Sequence, residues 1–330
     1  MPQKSPALPT SKHFDLEQLG SGVYAAIATE DGGAYSNAGI VDLGDQTLVF
    51  DAFEAPQAAK DLRLAAKHLT GRPPTCVIIS HSHADHWCGN QAFAPHVPII
   101  TTHTTLKEMP ETIGWLEELK ETPFELEQAI EETRDSLDAE TDPRRRASLA
   151  RSITRMGHML AMLPTLELRF PNLTFGTRLM FRGTQRTAEL REAAPGHTAS
   201  DAYLILPEDR VIFMGDLGFF QCQPFTVYAD PQAWVAHLEE MEQSSAETFV
   251  PGHGPLGTKA DLALQGQYIN LLQELVAGAI EEGLSVEETL EKPLPAPFDA
   301  WLHGGMARWE ANVHSTYERL VAVPKVTSNA

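Results

Sequence analysis

Residues 75–86 read Thr75-Cys76-Val77-Ile78-Ile79-Ser80-His81-Ser82-His83-Ala84-Asp85-His86. The first half is a short, continuous apolar run, the pattern of a strand buried on both faces in a parallel sheet. Before it, Leu62, Leu64, Ala65, Ala66 and Leu69 recur at helical spacing until Thr70-Gly71-Arg72-Pro73-Pro74 stops them. Strand, helix and strand in that order predict an α/β layered fold. The second half places four metal-ligating side chains in six residues, His81, His83, Asp85 and His86. On a helix these would scatter around the axis. On a loop at the C-terminal end of a strand they can converge, which is where open α/β sheets carry their sites. Neutral imidazoles with a carboxylate suit Zn²⁺, Mn²⁺ or Fe²⁺ better than Ca²⁺ or Mg²⁺.

Working outward, residues 22–29, 36–43 and 46–52 are apolar runs broken by Asp31-Gly32-Gly33 and Gly44-Asp45, turn signals that predict a meander. Residues 1–19, with three prolines, read as a flexible tail. Residues 104–164 change character. Leu126, Ile130 and Leu137, then Leu149, Ile153, Met156, Leu160 and Leu163, follow helical spacing on either side of Thr141-Asp142-Pro143, a cap with proline at the first helical position. This predicts a helical hairpin inserted at about 104–164, its acidic first arm set against Arg144, Arg145 and Arg146 or simply solvated. Strand signals resume at 165–170, 177–182, 185–192, 202–206, 211–214 and 248–250, with a helix at 233–241. Thr258 and Asp261 resemble a capping box opening a helix to about 280, and 306–321 reads as a last helix. The expected organisation is a tail (1–19), one domain (20–257) and a C-terminal helical extension packed on it (258–330).

The chain has 330 residues, 25 basic against 45 acidic, a formal net charge of −20, and 42% hydrophobic residues. A sizeable core is therefore expected and wholesale disorder is not. The acidic balance disfavours nucleic acid and anionic membranes as partners. Three cysteines make no disulfide framework, which suits a reducing compartment. With no apolar leader in the first residues and no apolar run of about 18, a cytoplasmic protein acting on a small molecule is expected. Homo-oligomers stay open.

The remaining histidines supply three further stations. Pro195-Gly196-His197-Thr198, Gly215-Asp216 and Pro251-Gly252-His253-Gly254 follow in order, His197 lying 111 residues after His86, Asp216 19 after His197, and His253 37 after Asp216. With the HxHxDH pattern of 81–86, this set resembles the metallo-β-lactamase-fold superfamily over about residues 20–256. The resemblance implies a four-layer αβ/βα sandwich with metals at one edge between two sheets. It implies that His81, His83 and His197 hold one ion, that Asp85, His86 and His253 hold a second, and that Asp216 bridges them. The expected cofactors are two divalent ions, zinc first, with iron or manganese as alternatives. Two such ions sharing a water lower its pKa toward ~7 and make a nucleophilic hydroxide. Asp85 is the one side chain given a catalytic part, orienting that hydroxide or relaying a proton.

Asp216 resembles glyoxalase II-like thioesterases, lactonases and phosphodiesterases; true β-lactamases commonly carry Cys or Ser there. His81 and His83 separate the chain from the RNA-processing and flavodiiron branches. Three readings follow: a dinuclear metallohydrolase of a small ester, thioester or lactone; a mononuclear iron oxygenase resembling persulfide dioxygenases; or a non-catalytic metal-binding member. Around the site, Asp51 reads as a support behind the metals or a strand-end turn residue. Asp201 and Thr198 would hold a ligand imidazole or the local turn. Phe219, Phe220, Phe225 and Tyr228 would wall a pocket or pack the core, and His103 and His303 carry slightly more weight than the other unassigned histidines. Helices 104–164 and 258–323 are expected to cover the metal edge or to form an interface.

Overall fold

The computed structural model describes residues 7–302 and 305–322, so His303 lies outside the described residues. The chain runs β1 (Phe14–Gly20), β2 (Val23–Ala28), β3 (Ala38–Asp42), β4 (Thr47–Phe50), α1 (Pro56–Thr70), β5 (Cys76–Ile78), α2 (Ala84–Trp87) and β6 (Ile99–Thr102). Three helices follow: α3 (His103–Glu121), α4 (Pro123–Ala139) and α5 (Pro143–Met162). Then come β7 (Leu173–Phe175), β8 (Arg178–Arg182), β9 (Thr187–Ala193), β10 (Asp201–Leu206) and β11 (Val211–Phe219). The chain closes with α6 (Pro231–Gln243), β12 (Thr248–His253), α7 (Lys259–Glu281), α8 (Val286–Leu290) and α9 (Met306–Ala322).

Among the described residues β1 to β7 form one sheet in chain order, antiparallel through β4 and parallel from β4 to β7. A second sheet has the order β12-β11-β10-β9-β8, with β11 and β12 parallel. Val41, Leu48, Ile78, Leu204 and Phe213 belong to the core between the sheets. Leu62, Ala66, Trp87 and Met159 belong to the core under α1 and the inserted helices, and Trp234, Leu262, Tyr268 and Trp309 to the core under α6, α7 and α9. The layers are helix, sheet, sheet, helix: the αβ/βα sandwich.

Three expectations need correction. Phe14–Gly20 is no flexible tail but an edge strand paired with β2, Phe14 against Ala28 and Leu16 against Ala26. The period-two alternation Phe14, Leu16, Gln18 buries Phe14 while Asp15 and Glu17 face solvent. The insertion is three helices rather than a hairpin: α3 precedes the antiparallel α4 and α5, with Pro123 starting α4 as its first residue. Of the two readings weighed for its arginines the solvated face holds, none of them pairing with an acid of the first arm among the described residues. Arg144 pairs with Asp142, Arg145 with Glu310, and Arg146 donates to the Leu137 and Glu140 carbonyls. Residues 165–170 form no strand, the next being β7. Elsewhere Asp142 caps α5, and the Thr258–Asp261 capping box opens α7.

Candidate metal centre

β5 ends at Ile78, and the chain enters the site through Ser80 and His81, both fully buried. His83 takes an extended backbone as the N-cap of α2, which then turns Asp85 and His86 inward. His197 comes from the turn between β9 and β10, Asp216 from within β11, and His253 from the end of β12. β11 is bulged at Gly215, whose φ is +54°; a side chain there would put its Cβ 2.5 Å from that of Ser80. The glycine thus lets the second sheet close on the first beside the histidine motif.

The seven donors form two adjoining groups, His81, His83, His197 and Asp216 in one and Asp85, His86 and His253 in the other, each within 4.8 Å atom to atom. In the first, His83 Nδ1 lies 2.9 Å from His81 Nε2 and 3.1 Å from His197 Nε2. Asp216 straddles both groups. Its Oδ2 lies 3.6 Å from His81 and 3.3 Å from His197, and its Oδ1 lies 3.0 Å from His86 and 3.3 Å from His253. Asp85 Oδ2 completes the second group, 3.8 Å from His86 Nε2 and 3.4 Å from His253 Nε2.

The far side of each ring explains why these nitrogens point inward. His86 Nδ1 donates to Asp51 Oδ2 at 2.8 Å. His81 Nδ1 donates to Ser80 Oγ at 2.9 Å, and Ser80 Oγ donates to the same Asp51 oxygen at 2.9 Å. His197 Nδ1 donates to the Phe225 carbonyl at 3.0 Å. The neutral His81 and His197 rings so held turn a lone pair on Nε2 toward the site. Lone pairs packed nitrogen to nitrogen repel unless a cation or a proton stands among them. His86 Nε2 and Asp216 Oδ1, although 3.0 Å apart, are moreover buried and not aligned for a hydrogen bond with each other or with any other described residue. Such orphaned atoms are costly unless something satisfies them. This donor set fits divalent metal.

The electrostatics agree. Burial holds His81, His83 and His197 below the ordinary imidazole range, His197 at about 3, so these rings are neutral at pH 7 and free to serve as ligands. Burial acts on His86 in the same sense, but Asp216, Asp51 and Asp85 outweigh it and raise His86 well above its usual value. Burial resists ionisation of Asp85 and Asp216, yet the surrounding histidines keep both carboxylates ionised, Asp85 titrating at about 2.

The sequence profile described as the metallo-beta-lactamase superfamily matches residues 31–253. The chain belongs to the metallo-beta-lactamase superfamily. A curated relative, the beta-lactamase-like protein 2 homolog of Caenorhabditis elegans, is 38% identical over 66 residues, 19% of this chain and 21% of that protein. Among solved structures, a metallo-beta-lactamase from Pontibacter korlensis covers 78% of this chain and 99% of its own at 18% identity, TM-score 0.56. An inverting sec-alkylsulfatase from a Pseudomonas species covers 94% of this chain and 50% of its own at 16% identity, TM-score 0.64. A metallo-beta-lactamase from Pseudomonas aeruginosa, solved in a mono-zinc form, covers 80% and 98% at 16% identity, TM-score 0.53. At such identities the likeness is one of fold. Members of the superfamily are generally metal-dependent hydrolases.

Other expected residues divide clearly. Asp51 is the shared acceptor behind two ring nitrogens, held at a left-handed φ of +60°. Asp201 holds the turn rather than an imidazole, accepting from Thr198 N and Thr198 Oγ1, both at 3.0 Å. Phe219 and Phe220 are core, whereas Phe225 is half-buried and Tyr228 is 60% exposed, its ring 5.7 Å from that of His83. His103 is exposed at the start of α3. His13, His68 and His237 bond the carbonyls of Gly32, Ala7 and Pro195. No described helix is long and apolar enough to cross a membrane.

Sequence reasoning missed Ser80 and a second cluster beside the metal edge. Glu54, buried after the Asp51 turn, pairs with Arg155 of α5 at 3.0 Å. The Arg155 guanidinium lies 5.0 Å from the Tyr35 ring centroid, and Tyr35 donates to His158 at 2.8 Å. These contacts, with Thr112 of α3 donating to the Ser82 carbonyl, dock the insertion on the rim of the site. Only Ser80, adjacent to the motif, had a signal in the sequence; the partners of α5 lie about a hundred residues away in the chain.

Proposed function

We propose that this chain is a dinuclear metallohydrolase, zinc the first candidate, that cleaves a small ester, thioester or lactone. The observation that carries it is the Asp216 carboxylate, one oxygen turned to each donor group, which would give two ions a common ligand. His81, His83 and His197 would hold one ion and Asp85, His86 and His253 the other. Ions bound there supply Lewis acidity and lower the pKa of coordinated water. The chain's own residues do the rest. Asp51 and Ser80 fix the His81 and His86 rings, the Phe225 carbonyl fixes His197, and the sheets exclude bulk water from all but the His83–His253 face.

Asp85, ionised and 3.4 Å from His253, would orient the hydroxide and accept or relay the proton released in hydrolysis. An Asp85→Asn variant retaining both metals and full turnover contradicts that role. The expected partner is a small molecule rather than nucleic acid or membrane, and the cell interior is the expected compartment. The test is a panel of esters, thioesters, lactones, phosphodiesters and alkyl sulfates offered to the metal-loaded protein, with His83→Ala as the blank. Turnover of one ester, thioester or lactone by wild type alone supports the proposal. An iron-loaded protein that consumes oxygen with a persulfide and hydrolyses none of them overturns it.

A further inference from the structure

The His197 ring is held from behind by a backbone group, the Phe225 carbonyl, 3.0 Å from its Nδ1. A carbonyl can aim a ring only if the chain that carries it is itself fixed. Phe225 lies in the loop between β11, which ends at Phe219, and α6, which begins at Pro231. Among the described residues, no backbone N–H from 221 to 228 reaches a backbone carbonyl. The loop therefore has no ladder of its own to set its direction, and side chains must supply the bonds.

Those side chains come from the C-terminal helix. Asn312 of α9 is fully buried, and both ends of its amide are used. Its Oδ1 accepts from Thr226 N at 2.9 Å, and its Nδ2 donates to the Pro224 carbonyl at 2.7 Å. These two bonds bracket Phe225. One turn to either side on the same face of α9, Arg308 Nη1 donates to the Gln223 carbonyl at 2.9 Å and Ser315 Oγ to the Val227 carbonyl at 3.2 Å. The Gln223 side chain runs the other way. Its Nε2 donates to the carbonyls of Trp301 and Gly305, and its Oε1 accepts from Tyr268 of α7. The loop that aims His197 is thus tied down from beyond residue 253, outside the stretch that carries the family domain. An apolar side chain at 312 would serve helix packing. What the buried amide adds is a fixed direction for the backbone on both sides of Phe225.

We propose that Asn312 is a positioning residue of the metal centre. By clamping Pro224 and Thr226 it aims the Phe225 carbonyl at His197, and so holds that ring as the Nδ1–H tautomer with Nε2 free for metal. The inference rests on His197 being a metal ligand, as the metallohydrolase reading has it, and not on the reaction catalysed. Asn312→Ala in the full chain tests it, because water can enter the vacated space and satisfy both backbone groups without fixing their direction. The control is Val313→Ala, which trims an equally buried apolar neighbour on α9. Nitrogen NMR spectra of the His197 ring in metal-free protein at neutral pH should show the Nδ1–H tautomer alone in wild type and in Val313→Ala, and both tautomers in Asn312→Ala. Competition with a chelator should show the zinc held by His81, His83 and His197 weakened by about tenfold or more in Asn312→Ala, and unchanged in Val313→Ala even where its unfolding temperature falls. An unchanged tautomer or an unchanged zinc affinity in Asn312→Ala overturns the proposal, as does an equal loss of affinity in the two variants. A wild type that binds no zinc would overturn the metallohydrolase reading, and the tautomer readout would still decide this one.

Discussion

The Asp51 carboxylate and the His86 imidazole are joined by a 2.8 Å hydrogen bond, and the same Asp51 oxygen receives Ser80, which in turn receives His81. One buried acid therefore orients a ring in each donor group. Asp51→Asn tolerates the left-handed backbone but withdraws the charge. Zinc affinity should fall about 10- to 100-fold, measured by competition with a chelator, with a small change in unfolding temperature. Unchanged affinity would mean that Asp51 is only a turn residue.

Gly252 keeps Asp216 in place. A Cβ at residue 252 would lie 2.0 Å from Asp216 Oδ1 and 2.8 Å from the Gly215 carbonyl carbon, so neither side can yield cheaply. Gly252→Ala should push the carboxylate off the second donor group and weaken the second metal equivalent by at least about tenfold. Two full-affinity equivalents in that variant would show that Asp216 need not serve both groups.

Protons should distinguish the two groups. His197, about 3 in the fold against about 6.5 unfolded, binds fewer protons when folded between those values. The metal-free protein should therefore lose stability as pH falls from about 6.5 toward 3, with His81 and His83 acting in the same sense. His86 has the opposite sign: its contribution is present below about 6.5 and is lost as pH rises through its elevated folded value. At pH 7 it holds a proton that metal on Nε2 must expel. Calorimetry in buffers of different ionisation enthalpy should show roughly one proton released by the His86 group and roughly none by the His81 group. Equal release from both would contradict these assignments.

Arg155 balances the Glu54 carboxylate, which burial pushes up and which keeps one oxygen, Oε2, without a hydrogen-bond partner among the described residues. Its own side chain is 45% exposed, so solvent screens the pair. Arg155→Met should cost about 1–3 kcal/mol in chemical denaturation, below the range for a wholly buried pair. Adding Glu54→Gln should recover most of it. A single variant as stable as wild type would show that Glu54 is neutral in the fold.

What was legible in the sequence had local causes. Four ligands sit in one turn after a buried strand, the other three follow strand signals, and the caps at Asp142 and Thr258 lie within three residues of their partners. The parts that escaped depend on chain distant in sequence. Glu54 and Tyr35 find α5 only once the sheet is folded, and the Phe225 carbonyl that holds His197 is a backbone group without residue identity. β1 escaped for another reason: its prolines lie before the strand, while the alternation that decides it spans a few residues at an edge.

The central claim is that two ions share Asp216. Titration of the metal-free protein with zinc, with bound metal counted by mass spectrometry, tests it most directly. Wild type should bind two equivalents per chain, and His253→Ala should keep the first while losing the second. Saturation of wild type at one equivalent would contradict the dinuclear account.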